Sequence, residues 1–275
     1  MGKIHPEVIV VDSITKLPAQ TQGRVAFCAS HGGEYPALLA LQAGMRAVVL
    51  NDAGVGLNQA GIRSLHILND AGMPAATVCH RSARIGDAQH GIEHGSLSYV
   101  NQKAAALGLT PGQPISKALE LLHAHAPAFS PSTSVNLSHE HREVVMLDAT
   151  TPVVLIDSVS LVMPEDVGAL VVTGSHGGLF GSDTHRAFQP AVRAILFNDA
   201  NCGIDDAGVS RLPALDEQGI PSACVSAWTA EIGNGRSAWN AGIVSTVNRC
   251  ARQAGVETGI SVQEFMRRVS HTSFK

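Results

Sequence analysis

The sequence predicts an α/β protein that is internally duplicated, with two similar strand-helix units whose mainly parallel sheets are related by a pseudo-two-fold axis. Three observations lead to this fold class. The motif Ser-His-Gly-Gly occurs at residues 30–33 and again at 175–178, and an Asn-Asp pair occurs at 51–52 and again at 198–199. Short apolar runs alternate with helix-forming segments in both halves, an order typical of sheets covered by helices.

The repeat extends well beyond these motifs. A shift of 145 positions aligns the two Ser-His-Gly-Gly motifs, and a shift of 147 positions then holds without a gap from Arg46 to Leu122. About a third of the residue pairs over that stretch are identical, far above chance. We therefore expect a first repeat over residues 1–125, a linker rich in Pro, Ser and Thr over 126–142, and a second repeat over 143–275.

Each unit begins with two short apolar runs that predict buried strands, at 8–11 and 25–28 in the first copy. A helix over 37–43 follows, since Pro36 suits the first helical turn. The other predicted elements of this copy are a strand at 47–50, a helix at 58–71 ended by Gly72, a strand at 75–78 and a helix at 98–107. The second copy repeats this order, with strands at 153–156, 169–172, 194–197 and 222–225 and helices at 205–218 and 245–254.

Composition argues against several classes of function. The net charge is -4 with 15% charged residues and no Lys/Arg cluster, so nucleic acid is not expected as a partner. No apolar stretch approaches the roughly 20 residues of a membrane span, and no signal peptide is evident, so we expect a cytoplasmic protein without a membrane partner. The 5 cysteines lack C-x-x-C spacing, which fits a reducing compartment. Apolar helices rich in Ala and Gly favour a homo-oligomer.

The Ser-His-Gly-Gly motif follows a predicted buried strand in each copy, where parallel α/β sheets bind their ligands. Glycine lets the backbone approach a ligand closely, so these N–H groups are expected to form a nest for an anion or oxyanion. The alternative is that the glycines only make a tight turn. Because both copies also retain the Ser and the His, the functional interpretation is favoured. It makes His31, His176 and Ser175 candidate catalytic residues, and Ser30, Gly32, Gly33, Gly177 and Gly178 candidate substrate-binding residues.

The Asn-Asp pairs also end predicted strands. Asp52 is a candidate general base, and Asn51 and Asn198 are candidates to donate a hydrogen bond to a substrate carbonyl. Equally, Asp before a helix is a common cap and Asn is common in turns. A glycine-rich stretch after Asp52 matches a dinucleotide-binding fingerprint only in part, so no cofactor is expected.

The segments after the last strand of each copy differ from one another. The first contains Cys79, followed by a His, and Arg84, where the second has Ser226 and Glu231. Cys79 is a candidate nucleophile, and Arg84 is a candidate to bind a substrate carboxylate. The alternatives are that Cys79 is a small buried apolar residue and that Arg84 pairs with Glu231 of the other copy.

A metal ion bound by His31, His176, Asp52 and Asp199 is a further arrangement that the repeat allows. The other histidine pairs in the chain do not recur between the copies, however. No metal is therefore expected.

We expect a small-molecule enzyme with its site at the junction of the two repeats. A hydrolase acting on an amide, imide or ester bond of a small carboxylated substrate fits the motif best, with an anionic or carbonyl group as the ligand of the predicted oxyanion hole. Against it, the chain has no Gly-x-Ser-x-Gly elbow. The alternatives are an isomerase, racemase or lyase that uses paired acid and base residues from the two repeats, and a cytoplasmic protein that binds a small ligand.

Overall fold

A computed structural model of the chain describes residues 4–128, 140–181 and 190–271. Two mainly parallel sheets, each covered by helices, form an α/β architecture, as the alternation of apolar runs predicts. Within these described ranges, no helix combines the length and the apolar character needed to span a bilayer.

The first sheet has five strands in the order β1-β2-β3-β4-β5. The first four are parallel, and β5 is antiparallel at the edge. β2, β3 and β4 are almost entirely buried, because helices cover both faces of the sheet. The strands are β1 (Ile9–Val11), β2 (Val25–His31), β3 (Ala47–Asn51), β4 (Ala75–Val78) and β5 (Leu97–Val100).

Two apolar layers hold the helices of this half on the sheet. One layer packs the first two helices against residues such as Met45 and Leu50, and the other packs the third and fifth helices around Phe27 and Leu119. The helices are α1 (Glu34–Gln42), α2 (Arg63–Asp70), α3 (Ala88–His94), α4 (Gln102–Ala105) and α5 (Ile115–His125).

The second sheet has six strands in the order β11-β10-β9-β8-β7-β6. The four central strands are parallel, and antiparallel strands close both edges. The strands are β6 (Arg142–Met146), β7 (Pro152–Ile156), β8 (Leu170–His176), β9 (Ala194–Asn198), β10 (Ser222–Val225) and β11 (Val244–Val247), and the helices are α6 (Leu212–Glu217), α7 (Gly235–Ala241), α8 (Arg249–Gln253) and α9 (Val262–Val269).

Two predicted helices are wrong over their first turn. The segments at 98–107 and 245–254 begin as the edge strands β5 and β11, and only then form the short helices α4 and α8. The side chains of Asn101 and Asn248 start these helices, because each accepts a hydrogen bond from the backbone N–H three residues further on. The helix predicted over 58–71 also begins later than expected.

That later start has a backbone cause. Asn58 and Gln59 both have positive φ angles, which a right-handed helix does not contain, so α2 begins only after the interrupted 3-10 segment (Leu57–Ile62). The predicted linker is only partly visible, since residues 129–139 lie outside the described ranges, and its last residue already belongs to β6.

The two halves contact each other through two loops with left-handed backbone, 52–62 and 199–209. Leu57 N–H donates to the carbonyl of Ala227 at 2.7 Å, and Ile204 N–H donates to the carbonyl of His80 at 2.8 Å. A small apolar cluster fills the space between the loops, and it consists of Ala53, Ala60, Ile85, Ala200, Ala207 and Ile232.

Candidate functional site

The candidate site is built around two imidazoles. His31 is the last residue of β2 and His176 the last residue of β8, so both lie where parallel strands end. The Nδ1 atom of His31 accepts a hydrogen bond from Gly33 N–H at 3.2 Å, and Nδ1 of His176 accepts one from Gly178 N–H at 3.1 Å. An accepting Nδ1 assigns the proton of the neutral ring to Nε2.

Both rings are neutral near pH 7. Burial lowers the pKa of His31 to about 4. Burial also holds the pKa of His176 well below its usual range, and the charges of Arg211 and His31 act in the same direction. Among the described residues, neither Nε2 atom has a hydrogen-bond partner. Each ring therefore has one N–H donor left for a ligand.

A cavity of about 410 Å³ lies over the two rings and is lined by both halves of the chain. Its volume suits a small molecule. Besides the two histidines, the lining residues that matter chemically are Lys16, Tyr35, Glu140, Phe180 and Arg211.

Glu140 is the carboxyl group that can exchange a proton at this cavity near neutral pH. Burial raises its pKa to about 7. A hydrogen bond with Ser158 lowers this pKa, and the negative charge of Asp157 raises it. Burial and the charge of Glu140 also raise the pKa of Tyr35. A carboxyl with this pKa suits a general base or acid. A second cavity, of about 450 Å³, adjoins the first and shares Glu140, Tyr35 and His31 with it.

Arg211 contributes a buried positive charge at the same cavity. Its side chain is 8% exposed, and Nη2 donates to the carbonyl of Gly178 at 2.8 Å. Its guanidinium lies 5.4 Å from the ring centre of Phe180 and 5.1 Å from that of Phe197. Burial lowers the pKa of Arg211 to about 10, so the group remains charged at neutral pH.

The glycines of the motif have a different role from the expected one. Gly32 N–H donates to the carbonyl of Asn51 and Gly177 N–H to the carbonyl of Asn198, while the other two glycines donate to the histidine rings. All four amides are committed within the protein, so they do not form the predicted nest. Gly33 and Gly178 orient the imidazoles instead, and each imidazole keeps its Nε2–H free for a ligand.

The serines of the motif also have internal partners. Ser30 Oγ accepts a hydrogen bond from Ile14 N–H, and Ser175 Oγ accepts one from Val159 N–H, both at 2.9 Å. Each bond attaches a short 3-10 helix to the strand end beside the cavity. Both serines line the cavity, but their hydroxyl groups hold its wall together through these hydrogen bonds.

The Asn-Asp pairs lie outside the residues that line the cavity. Asn51 donates to the carbonyl of Ala83 and accepts from Ala53 N–H, and Asn198 makes the corresponding bonds to Ala230 and Ala200. These buried side chains hold loops together, as Asn does in turns.

Asp52 is part of a hydrogen-bonded pair with His80. Its Oδ1 accepts from Nδ1 of His80 at 2.8 Å and from the backbone N–H groups of His80 and Gly54. Burial raises the pKa of Asp52, but its bonds to His80 and Gly54 outweigh that effect, and the pKa is lowered. Asp52, Cys79 and His80 place one potential metal ligand each within 4.8 Å of one another, as do His5, Glu7 and His123. The four-residue metal site that joins His31 and His176 to two aspartates is not assembled.

Cys79 and Arg84 do not line the cavity either. Arg84 pairs with Asp205 of the other half, through Nε at 2.9 Å and Nη2 at 2.7 Å. The expected partner, Glu231, pairs instead with Arg63 at 3.2 Å. Arg84 therefore links the halves at the surface and is not placed to bind a carboxylate in the cavity.

Sequence reasoning missed the residues that differ between the halves at the cavity. Under the shifts that align the repeats, Arg211 takes the place of Ser64, and Phe180 takes the place of Tyr35. The sequence shows both differences between the halves. Only the structure, which places these residues beside a cavity, distinguishes them from differences at the protein surface. Nothing in the sequence marked Glu140 as a site residue, because it falls in the segment predicted to be the linker.

Comparison with known proteins adds no family to this picture: no family model, no curated protein and no solved structure matches the chain.

Proposed function

We propose that this chain is an enzyme that moves a proton at a carbon next to the carbonyl group of a small substrate, as isomerases, racemases and some lyases do. One observation carries the proposal: two neutral imidazoles, each with its Nδ1 atom committed to a glycine N–H, line one cavity together with Glu140. Two N–H donors and one carboxyl with a pKa of about 7 are the groups that such a reaction requires.

In the proposed step, the Glu140 carboxylate removes a proton from the carbon beside the carbonyl. The electron pair of the broken C–H bond forms a C=C bond, and the π pair of the carbonyl moves onto its oxygen. His31 and His176 donate their Nε2 protons in hydrogen bonds to that oxygen as its negative charge develops. The C=C electron pair then takes a proton back from Glu140 at the same carbon, and the electron pair on the oxygen re-forms the carbonyl. In deuterium oxide Glu140 returns a deuteron instead, and no external oxidant or reductant is needed.

Neutral donors suit this role better than charged ones. The lowered pKa values of both histidines mean that each imidazole donates a hydrogen bond without first carrying a positive charge. In this scheme the histidines act together on one oxygen, whereas the sequence led us to expect one acid and one base, each from a different repeat. Glu140 takes over the proton transfer.

Hydrolysis of an amide, imide or ester is the second candidate. The specific observation in its favour is the adjoining cavity of about 450 Å³, which gives room beside Glu140 for a water molecule and a leaving group. The Glu140 carboxylate would remove a proton from the water as its oxygen attacks the carbonyl carbon, and the two imidazoles would stabilise the oxyanion. As the oxyanion re-forms the carbonyl, the bond to the leaving nitrogen or oxygen would break and Glu140 would give that atom its proton. Since Ser30 and Ser175 hold backbone N–H groups, this route uses water and no serine nucleophile.

We further propose that the halves are diverged copies related by an approximate two-fold axis through this site. Equivalent hydrogen bonds support the proposal, since Gly33 and Gly178 donate to the two histidines and Asn51 and Asn198 brace equivalent loops. The apolar cluster between the halves takes its members from positions that the sequence repeat pairs, such as Ile85 and Ile232. The divergence at Arg211 makes the site asymmetric.

The test is proton exchange followed by NMR in deuterium oxide. Purified protein is incubated with a panel of small 2-oxo and 3-oxo compounds, and with a second panel of amides, imides and esters. We expect deuterium to enter the substrate beside its carbonyl, with a rate at least about 100-fold lower in Glu140→Gln. His31→Asn keeps an acceptor near the Nδ1 position but loses the Nε2 donor, so its rate should also fall.

Glu120→Gln is the matched control, because Glu120 is an exposed partner of Lys117 on α5. It should exchange like the unmodified protein. Cleavage of the second panel without deuterium incorporation would favour hydrolysis. Exchange that persists in Glu140→Gln, or no exchange across the first panel, would overturn the proton-transfer proposal, and binding without turnover would favour a small-ligand sensor.

A further inference from the structure

We infer that Arg211, assisted by Lys16, binds a carboxylate group of the substrate at the Phe180 side of the cavity. The inference rests on the proposed function for the reacting carbonyl, and it adds the chemical class of the molecule: a small carboxylic acid with a carbonyl near the Nε2 atoms of the two histidines.

The first support is the state of the guanidinium. Arg211 is 8% exposed, and no carboxylate among the described residues forms an ion pair with it. Its Nε atom is buried without a hydrogen-bond partner, while Nη2 has only the carbonyl of Gly178. Buried charges in proteins are normally paired, so an unpaired guanidinium in a cavity wall is suited to an anionic ligand.

The aromatic rings beside Arg211 fix the group in place. Its guanidinium lies within 5.4 Å of the centre of the Phe180 ring and within 5.1 Å of the Phe197 ring. Lys16 Nζ lies 5.1 Å from the same Phe180 ring and also lines the cavity. Two cations therefore contact one aromatic side chain at the cavity wall, and the cation–π contacts hold them without neutralising them.

The contrast with Ser64 shows that the main backbone hydrogen bond at this position does not require a guanidinium. Ser64 N–H donates to the carbonyl of Gly32 at 2.9 Å, and Arg211 N–H makes the corresponding bond to Gly177 at 2.8 Å. The backbone N–H groups of both residues thus make the same hydrogen bond, and in the first half a serine makes it. The long charged side chain is an addition on one side of the cavity.

A carboxylate fits this subsite better than a phosphate. Phosphates are usually bound by several free backbone N–H groups at a glycine-rich turn. Here the N–H groups of Gly177 and Gly178 are committed to Asn198 and His176. Glu140 and Asp157 line the same cavity and oppose the two negative charges that a phosphate concentrates on one group. A single carboxylate is matched to one buried guanidinium.

The experiment measures binding of unreactive probes to the full chain, separately from turnover. Succinate and inorganic phosphate are titrated by calorimetry, and the Nε–H signal of Arg211 is followed in protein labelled with ¹⁵N-arginine. We expect succinate to bind, to shift the Arg211 signal and to lose about tenfold or more of its affinity in Arg211→Gln. Arg211→Lys should restore only part of that affinity, because lysine lacks the planar fork.

Arg193→Gln is the matched control. Like Arg211, Arg193 has a buried Nε atom without a hydrogen-bond partner, and its Nη1 donates to the carbonyl of Ser270 at 2.8 Å. Unlike Arg211, Arg193 does not line the cavity. Its variant should bind succinate like the unmodified protein. If Arg211→Gln fails to fold, the shift of the Arg211 signal in the unmodified protein decides the matter.

The possible outcomes separate this inference from the proposed reaction. Succinate affinity that is unchanged in folded Arg211→Gln, or no shift of the Arg211 signal on saturation, would overturn the subsite even if proton exchange occurs. Tighter binding of phosphate than of succinate would overturn the carboxylate assignment. Arg211-dependent succinate binding in a protein that catalyses no exchange would support the subsite and contradict the proposed reaction alone.

Discussion

Gly233 in the second half of the chain lies directly against the imidazole of His31 in the first half. A Cβ atom at Gly233 would lie 3.1 Å from Cε1 and 3.7 Å from Nε2 of that ring, and the residue has a φ of +81°. Gly86 bears the same relation to His176, with its Cβ position 3.4 Å from Cε1 and the same φ. Each imidazole is thus seated by a glycine turn of the opposite half, so neither half contains a complete site.

The Gly233→Ala variant tests this seating. An added methyl group is expected to displace the His31 ring and to lower the exchange rate at least about tenfold, while overpacking and the left-handed backbone together lower the free energy of unfolding by about 2–4 kcal/mol. Gly219→Ala is the control, because Gly219 has a φ of +71° but nothing within 4 Å of its Cβ position. It should show the backbone cost, about 1–2 kcal/mol, with unchanged activity. Equal activities in the two variants would contradict the seating of His31 by Gly233.

The proposed role of Glu140 as a general base predicts the pH dependence of turnover. A general base must be deprotonated, and burial raises the pKa of this carboxyl to about 7. We therefore expect kcat/KM to rise with pH through about 7 and then to level off. The measurement is a kcat/KM profile from pH 5 to 9 on the substrate identified by deuterium exchange. A profile that falls across this range would assign Glu140 as the acid, and a flat profile would remove it from the reaction.

Acid stability follows from the two histidines. The pKa of His31 is lowered from 6.5 to about 4 on folding, and that of His176 is also lowered. The unfolded chain then binds protons that the folded chain does not, so stability is complete above pH 6.5 and is lost as the pH falls toward 4. The loss is at most about 1.4 kcal/mol per pH unit for each histidine. Denaturant titrations should show a shallower loss in His31→Asn, and an equal slope would contradict burial of a neutral ring.

Asp52 is expected to contribute to stability and not to the chemical step. Its buried carboxylate accepts three hydrogen bonds from His80 and Gly54, so Asp52→Ala should lower the free energy of unfolding by about 2–4 kcal/mol. Below its melting temperature, the folded variant should retain proton exchange within about threefold. Asp70→Ala, at the exposed end of α2, should be close to neutral in both measurements. A stable but inactive Asp52→Ala would restore Asp52 as a general base.

Alkylation of thiols is expected to leave activity unchanged. Cys79 does not line the cavity, and the proposed reaction uses no sulfur nucleophile. Iodoacetamide-treated protein and Cys79→Ser should exchange at the rate of the untreated protein, as judged by NMR. Loss of activity on alkylation that Cys79→Ser abolishes would instead point to a cysteine mechanism.

Sequence alone predicted the parallel strands of both sheets and the position of the motifs. Buried parallel strands appear as continuous apolar runs, so the strands that end at His31 and His176 were located, although the predicted runs at 25–28 and 169–172 stop three and four residues before the strands end. The glycine motif after each strand also marked the correct end of the sheet. These features depend on residues close together in the chain, and one-dimensional patterns record them well.

Only the tertiary structure decided the chemistry of the site. It showed that the glycine N–H groups are committed to the histidines and to neighbouring carbonyls, and that Asp52, Cys79 and Arg84 lie away from the cavity. It also brought Glu140 and Arg211 to the histidines. Proton affinity and ligand access depend on burial and on contacts between residues far apart in the chain, and local patterns along the sequence do not show such contacts.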